Sequence, residues 1–522
     1  MQPKDYPHVW PKHLPTSLTI PQTSLWHNLE VSAARYPDKA AAICYDSRLT
    51  YRELARDAER LAGHLQRRCG IGRGDRVLLT AQNGPHFIVA YYAILRADAV
   101  VVPLNPMNVA AEIEQYVTDS GATTAIVARE LADRYRPLVG SGLQHLVIAD
   151  DGLAEQCEPG PLLSRADDLC AILYTSGTTG RPKGCMHTHR TVMCTAVGGA
   201  VWENLTADAV VLNTAPLFHV TGMQHSMNAP IFMGATIVCL PRWDPAAAGD
   251  MIERYGCTHW ANVPTMVADL LSHPAVANRD LSSLQNIFGG GSAMPEAVAT
   301  RLFERCGIEY MEGYGMTETI SQTHMNPPGH LRKQCLGIPT FDTESLVVDP
   351  DSLRPLGPNE RGEIVSRGPQ VLAGYWNNAE ATEAAFADIG GHRYLRTGDL
   401  GYYDADGYFY IADRLKRMIN AAGFKVWPAE VEAMLYAHPA IREAAVISSP
   451  DPRRGETVKA CIVLKSDATG QVTPAQIIEW ARERMAAYKV PRTIEFLEAL
   501  PRSGSGKIQW RALQEREWRP EV

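Results

Sequence analysis

Concentrated positive charge is absent from this 522-residue chain: Lys plus Arg number 50 against 58 Asp plus Glu, a formal net charge of −8, and no polybasic block occurs. No nucleic acid is expected as a partner. The eleven cysteines are scattered and contain no C-x-x-C pair. Neither a disulfide framework nor a zinc ribbon is indicated, and a reducing, cytoplasmic setting fits. Long apolar runs are missing as well; the longest, such as Phe87 to Leu95, reach about half of the roughly 20 residues a membrane-spanning helix needs. No integral membrane segment is expected, while peripheral membrane contact stays open. Met1 to Pro21 carries prolines and charges where a signal peptide would need an apolar core, so no export signal is expected. The rest is ordinary for a folded globular chain, 45% hydrophobic and 21% charged, which excludes disorder and fibre. A length prior of about 150 residues per domain gives two to four domains.

Thr50 to Leu65 reads as an amphipathic helix, because Thr50 and Glu53 form a capping box and Leu54, Ala58, Leu61 and Leu65 recur at helical spacing. Short β-rich runs (Arg76 to Thr80, Ala99 to Pro103, Thr124 to Ala128) then alternate with helical stretches (Pro85 to Arg96, Asn108 to Ser120). Such alternation predicts α/β layers with parallel strands. The texture resumes with strands at Ala209 to Asn213, Ala235 to Leu240 and His259 to Val263. Between about Leu336 and Tyr410, short β-like pieces separated by Gly and Pro turns predict a β-rich subdomain. From Pro428 onward a helix, strands at Ala444 to Ser448 and Val458 to Leu464, and a helix at Pro474 to Ala487 make a compact lid of roughly 100 residues.

The segment Tyr174 to Gly184, YTSGTTGRPKG, follows the apolar strand Cys170 to Leu173 and concentrates glycine and hydroxyl residues before a lysine. This is chemistry for phosphate: glycine lets backbone amides approach oxygen atoms, hydroxyls donate to them, and Lys183 supplies a point charge. The Walker spacing is absent, which disfavours a standard P-loop NTPase. The segment resembles that of the adenylate-forming enzymes, a family that comprises acyl- and aryl-CoA synthetases, luciferase-like ligases and nonribosomal adenylation domains. The resemblance runs from about Trp26 to Leu513 with the motifs in family order. It implies that Thr175, Ser176, Gly177, Thr178, Thr179, Gly180 and Lys183 hold nucleotide phosphates.

Further motifs carry the same resemblance. Gly290, Gly291 and Ser292, after Gly289, look like the glycine segment against adenine, a flat wall without side chains. Glu312 and Gly313 lead into YGMTET, whose Tyr314, Gly315 and Thr317 are implied nucleotide contacts and whose Glu318 is the implied Mg²⁺ ligand, a carboxylate suited to a hard cation. RTGD offers Asp399 to the ribose, and DRLKRMI resembles the family hinge, with Arg414 as a nucleotide contact and Lys416 as the pivot. Arg417 departs from the acidic residue usual after that pivot. PRSGSGK ends in Lys507, implied to enter the site for adenylation, where preorganised charge is typically worth about 3–4 kcal/mol. The implied fold is α/β: an N-terminal adenylation body of layered α/β subdomains plus the β-rich subdomain (1–413), a hinge (414–416) and a small mobile α+β lid (417–522).

PLFHVTG places His219 after Phe218 where amino-acid-activating relatives carry an aspartate, which disfavours an amino-acid substrate. The expected acyl pocket comprises His219, Met223, Met227, Gly291 and Met316, although core packing explains the methionines equally well. No basic residue is placed to meet a second carboxylate, so a fatty, alicyclic or aryl monoacid is preferred. Arg242, Gly423, Phe424 and Lys425 are the implied CoA contacts; lysines typical of coumarate-type relatives are replaced by Asn420 and Ala422. The resemblance thus implies an acid–thiol ligase that uses ATP, Mg²⁺ and the co-substrate CoA to activate a small-molecule carboxylic acid through acyl-AMP. The alternative is a stand-alone acyl-AMP ligase that loads an acyl carrier protein; a homodimer is left open.

Overall fold

The structure is a computed structural model that describes residues 8–149, 157–175, 182–414, 417, 419–421, 424–426, 428–451, 455–466, 468–502 and 508–518. The chain divides into two compact units, one of Met1–Ser345, Ser366–Leu395 and Ala405–Phe409, the other of Leu346–Val365, Arg396–Asp404 and Tyr410–Val522. The expected α/β class is what forms.

In the first unit two sheets carry the architecture. One orders its strands Gly374–Tyr375, Lys183–Thr188, Leu169–Thr175, Val100–Pro103, Arg76–Thr80, Thr124–Val127 and His145–Ile148. Its last five run parallel, and Leu169–Thr175 pairs antiparallel with Lys183–Thr188. Runs such as Val100, Val101 and Val102 are buried on both faces, as parallel strands covered by helices must be. The other sheet orders Ile338–Pro339, Ser321–Met325, Met311–Met316, Asn286–Gly289, His259–Asn262, Val210–Asn213, Thr236–Cys239, Ala40–Cys44 and Ser47–Thr50. Its six central strands, Met311–Met316 through Ala40–Cys44, are parallel, and antiparallel strands close both edges.

Local chemistry sets the helices between the sheets. The Thr50 hydroxyl accepts from the Glu53 N–H at 3.3 Å while the Glu53 carboxylate accepts from the Thr50 N–H at 2.8 Å, which starts the helix Tyr51–Arg68. Leu54, Ala58, Leu61 and Leu65 line its buried face, and the chain leaves the helix before Gly70, at φ +66°. Pro85 sits at the first helical position of Pro85–Arg96, most of whose apolar residues are buried. Both helices pack into one core with Met193, Met223 and Met227.

The strands expected between residues 336 and 410 are present as Glu344–Val348, Gly362–Arg367, His392–Tyr403 and Phe409–Arg414. Residues 346–365 and 396–404 of that stretch cluster with the second unit. There, Ile441–Asp451 and Gly455–Leu464 pair antiparallel, Thr493–Phe496 adds in parallel, and the helices Pro428–Tyr436 and Pro474–Arg482 contribute Val431, Leu435 and Ile477 to a core shared with Val446, Val458 and Ile462. No disulfide forms among the described residues; of the eleven cysteines, Cys44 and Cys306 are half-buried and the other nine are buried. No helix among the described residues is long and apolar enough to cross a membrane.

Thr50→Ala removes one half of the capping box. A loss of about 1 kcal/mol is expected, read as a lower urea midpoint at unchanged slope.

Candidate active site

The glycine segment lies where the parallel strand Asn286–Gly289 ends beside Met311–Met316, with Gly289 opposite Glu312. Backbone meets backbone here. A Cβ on Gly290 would fall 2.3 Å from the Gly313 carbonyl oxygen, and one on Gly315 would fall 1.7 Å from that of Ser321. Glu312, buried, accepts the Met294 N–H at 2.8 Å and the Cys335 N–H at 3.4 Å, which ties the glycine turn to the sheet. Burial raises its carboxyl pKa, and the amides of Met294, Gln334 and Cys335 oppose that rise. Gly291 and Ser292 are exposed, and Gly290, Gly313 and Tyr314 are half-buried.

Beyond Met316 the chain makes a single tight turn, Thr317–Thr319. His187 Nε2 lies 2.8 Å from the Thr317 carbonyl oxygen. A carbonyl only accepts, so Nε2 carries the proton and Nδ1 is left as an acceptor, 3.4 Å from Thr191 Oγ1. Burial pushes the His187 pKa down to about 4, so the ring is neutral. Glu318, half-buried, accepts the Tyr375 hydroxyl at 2.8 Å through one oxygen, and its own carbonyl accepts the Leu372 N–H at 2.8 Å. Lys183 Nζ stands 5.1 Å from the centroid of that same Tyr375 ring. Thr175 and Lys183 are partners in register at the ends of their strands. Thr175, Lys183, Thr317 and Glu318 are thus gathered on one wall through Tyr375 and His187. Sequence reasoning singled out neither of these two.

In the second unit, Arg396, Thr397, Gly398 and Asp399 form a braced stretch within the strand His392–Tyr403, irregular at Gly398 with φ +68°. One oxygen of buried Glu363 accepts Arg396 Nε at 2.9 Å and Nη2 at 2.6 Å, and the other accepts the Gly398 N–H at 3.0 Å. Asp399 is buried, and its N–H donates to Thr397 Oγ1 at 3.1 Å. Arg414 ends the strand Phe409–Arg414, and Phe424 and Lys425 begin Phe424–Val426. Ser176, Gly177, Thr178, Thr179, Gly180, Lys416, Gly423 and Lys507 lie outside the described residues.

Of the expected acyl residues, His219 is exposed and caps the short helix Val220–Met223 by accepting the Thr221 N–H at 3.4 Å. Met223 and Met227 have no exposed surface and pack in the core with Leu217, Val220 and Ile320. Met316 is half-buried against Cys185, Leu372 and Tyr375. Arg242 is exposed on the rim of a cavity of about 590 Å³ that Arg48, Asn83, Gly84 and His86 also line.

The family described as AMP-binding enzyme matches residues 29–376, and the AMP-binding enzyme C-terminal domain matches residues 430–507. The chain belongs to the AMP-binding enzymes. It is 34% identical to a long-chain-fatty-acid–CoA ligase of Bacillus subtilis (strain 168) across 97% of each chain. It is 37% identical to a feruloyl-CoA synthase of Amycolatopsis sp. across 92% of this chain and 96% of the relative. Among solved structures, the anthranilate CoA ligase AuaEII in complex with anthranoyl-AMP superposes with a TM-score of 0.84, 29% identity and 99% coverage of both chains. These similarities place it in the acyl-CoA synthetase branch of the adenylate-forming enzymes.

For an AMP-binding enzyme, the wall around Glu318 suits a nucleotide triphosphate with its cation. Among the described residues no three His, Cys, Asp or Glu side chains converge, and only one Glu318 oxygen is engaged, by a phenol rather than a cation. A single carboxylate is what Mg²⁺ takes when substrate phosphates and water fill its other positions.

Two outcomes are expected. Gly290→Ala forces the turn away from Gly313, costing about 1–3 kcal/mol, measured from the urea midpoint. His187 has a folded pKa of about 4 against an ordinary 6.5, so the stability linked to it is complete above about pH 6.5 and is lost as pH falls through 4. A His187→Gln protein should therefore lose urea resistance less steeply than wild type between pH 7 and 4.5.

Proposed function

We propose that this AMP-binding enzyme is an ATP-dependent acid–CoA ligase that works in two half-reactions. The observation that carries the reading is the wall on which Lys183, Thr317 and Glu318 meet beside the strand ends that flank residues 176–181. In the first half-reaction an oxygen of the substrate carboxylate attacks the α-phosphorus, the bond to the β-phosphate bridging oxygen breaks, and acyl-AMP and pyrophosphate form. Lys183 offsets charge on the outer phosphates, Thr317 donates to the α-phosphate, and Asp399 and Arg414 hold the ribose side. Glu318 would hold Mg²⁺, which would supply charge neutralisation at the phosphate oxygens. In the second half-reaction the CoA thiol attacks the acyl carbon, loses its proton, and expels AMP.

Domain alternation is part of the proposal. Lys507 enters for adenylation, then residues 417–522 turn about Lys416 in the hinge 414–416, and Gly423, Phe424 and Lys425 offer backbone to the pantetheine arm. Arg242 is assigned to a CoA phosphate, supported by its exposed place on a roomy cavity rim beside a second arginine. The acid is a monocarboxylate of the fatty, alicyclic or aryl class, since relatives named for fatty and aryl acids are similarly close.

A panel of carboxylic acids scored by pyrophosphate release, with and without CoA and with a phosphopantetheinyl carrier protein in place of CoA, tests the reading. Thioester formation with CoA is expected, and thioester on the carrier protein alone would overturn the choice of acceptor. Lys507→Ala should lower acyl-AMP formation by about 10²–10³-fold while largely sparing thioester formation from supplied acyl-AMP; equal losses in both assays would count against the alternating lid.

A further inference from the structure

The helical run from Val220 to Met233 widens into a π-turn over Gln224–Asn228, an irregularity that often marks functional sites. Met223 and Met227, four residues apart, share the face buried in the core. His225, between them, faces the other way. Its Nδ1 lies 2.5 Å from Glu203 Oε1, its Nε2 lies 3.0 Å from Ser321 Oγ, and its ring meets Phe288 edge to face at 5.3 Å. The chain of contacts runs from a carboxylate that is 1% exposed to a histidine side chain that is 6% exposed. Nothing in the proposed chemistry uses it.

Three observations indicate that this chain serves a ligand. Two ionisable groups buried together add little to stability over an apolar pair, so packing alone does not account for them. Ser321 lies opposite Met316 in the strand pair, next to the Thr317–Thr319 turn, and both Ile320 (φ +49°) and Ser321 (φ +137°) hold backbone conformations that cost non-glycine residues strain. Beside them, Gln322 is buried with its Nε2 on the Thr195 carbonyl at 3.0 Å and its Oε1 without a partner among the described residues. Either placement of protons on the imidazole leaves the Ser321 hydroxyl with an unused hydrogen-bonding valence.

We propose that the Glu203–His225–Ser321 chain sets acyl specificity and that the acid activated here carries a hydroxyl group, phenolic or alcoholic, which hydrogen-bonds to Ser321 Oγ. A hydroxyl both donates and accepts, so it satisfies Ser321 in either proton arrangement, and its proton can also reach Gln322 Oε1. An unsubstituted alkyl or aryl end would leave these groups unmatched, and sites built around a substrate hydroxyl discriminate strongly against analogues that lack it. Glu203 and His225 are positioning residues: they fix where the serine hydroxyl points.

The inference rests on the acid–CoA ligase reading, and matched acids separate the two. Full-length enzyme is given hydroxylated and unsubstituted members of the same skeletons, benzoic, cinnamic and straight-chain, with kcat/KM taken from CoA-dependent pyrophosphate release. If no acid is ligated, the functional reading fails and the inference with it. If acids are ligated, the hydroxylated partner should be preferred at least tenfold on the accepted skeleton. Equal use, or preference for the unsubstituted acid, overturns the inference and leaves the ligase reading standing. Ser321→Ala and Glu203→Gln should collapse that ratio towards one, chiefly through KM; variants that slow both acids by the same factor would show a structural role instead. Covalent labelling of Ser321 by a fluorophosphonate would mark it as a nucleophile and also overturn the assignment. The wild-type ratio decides the matter even if a variant fails to fold.

Discussion

Main chain packed directly on main chain is the constraint around which the first unit is arranged. Where the glycine turn, Met311–Met316 and Ser321–Met325 come together, the Gly290 and Gly315 positions leave no room for a β-carbon. The absence of side chains keeps a flat face open at the ends of parallel strands, the place where sheets of this type receive ligands. It also creates a difficulty, because a wall of bare amides and carbonyls must be held in place from behind. Glu312 does this for the glycine turn through backbone amides, and His187 does it for the Thr317 turn through one carbonyl.

Four glutamates divide the labour of the molecule according to what surrounds them. Glu312 and Glu363 are buried and spend both carboxylate oxygens on the protein itself, one on amides and the other on Arg396 and Gly398. Glu318 is half-buried and, among the described residues, leaned on by a single phenol, so part of its charge remains available outward. Glu203 is buried against a histidine, and burial raises its pKa. Identical side chains thus become struts, a carboxylate open on one side and the buried partner of an imidazole through accessibility and partners alone.

The sequence made the helices legible where local chemistry decides them. Pro85–Arg96 has the expected bounds because a proline opens it and an apolar run fills it, and the Thr50–Glu53 box starts its helix where expected. Ends set by tertiary pairing were less visible. The strands expected at Ala444 to Ser448 and Val458 to Leu464 extend to Ile441–Asp451 and Gly455–Leu464, because each supplies the other's hydrogen bonds along its full length. The helix expected at Pro474 to Ala487 stops at Arg482. In the site, glycine runs announce close approach by themselves. Tyr375 and His187 act on residues 57 and 130 positions away, and no local pattern encodes such a contact. Met223 and Met227 carried a pattern that fits a pocket or a core, and only the turn of the helix assigns them to the core.

The burial of the cysteine sulfurs has a practical corollary. Nine of the eleven thiols are shut inside the folded chain, and the two at half-depth, Cys44 and Cys306, have pKa values raised by burial. An alkylating reagent at neutral pH therefore meets little thiolate until segments open. The pace at which sulfur is consumed becomes an internal clock for breathing of the interior, one that needs no engineered probe.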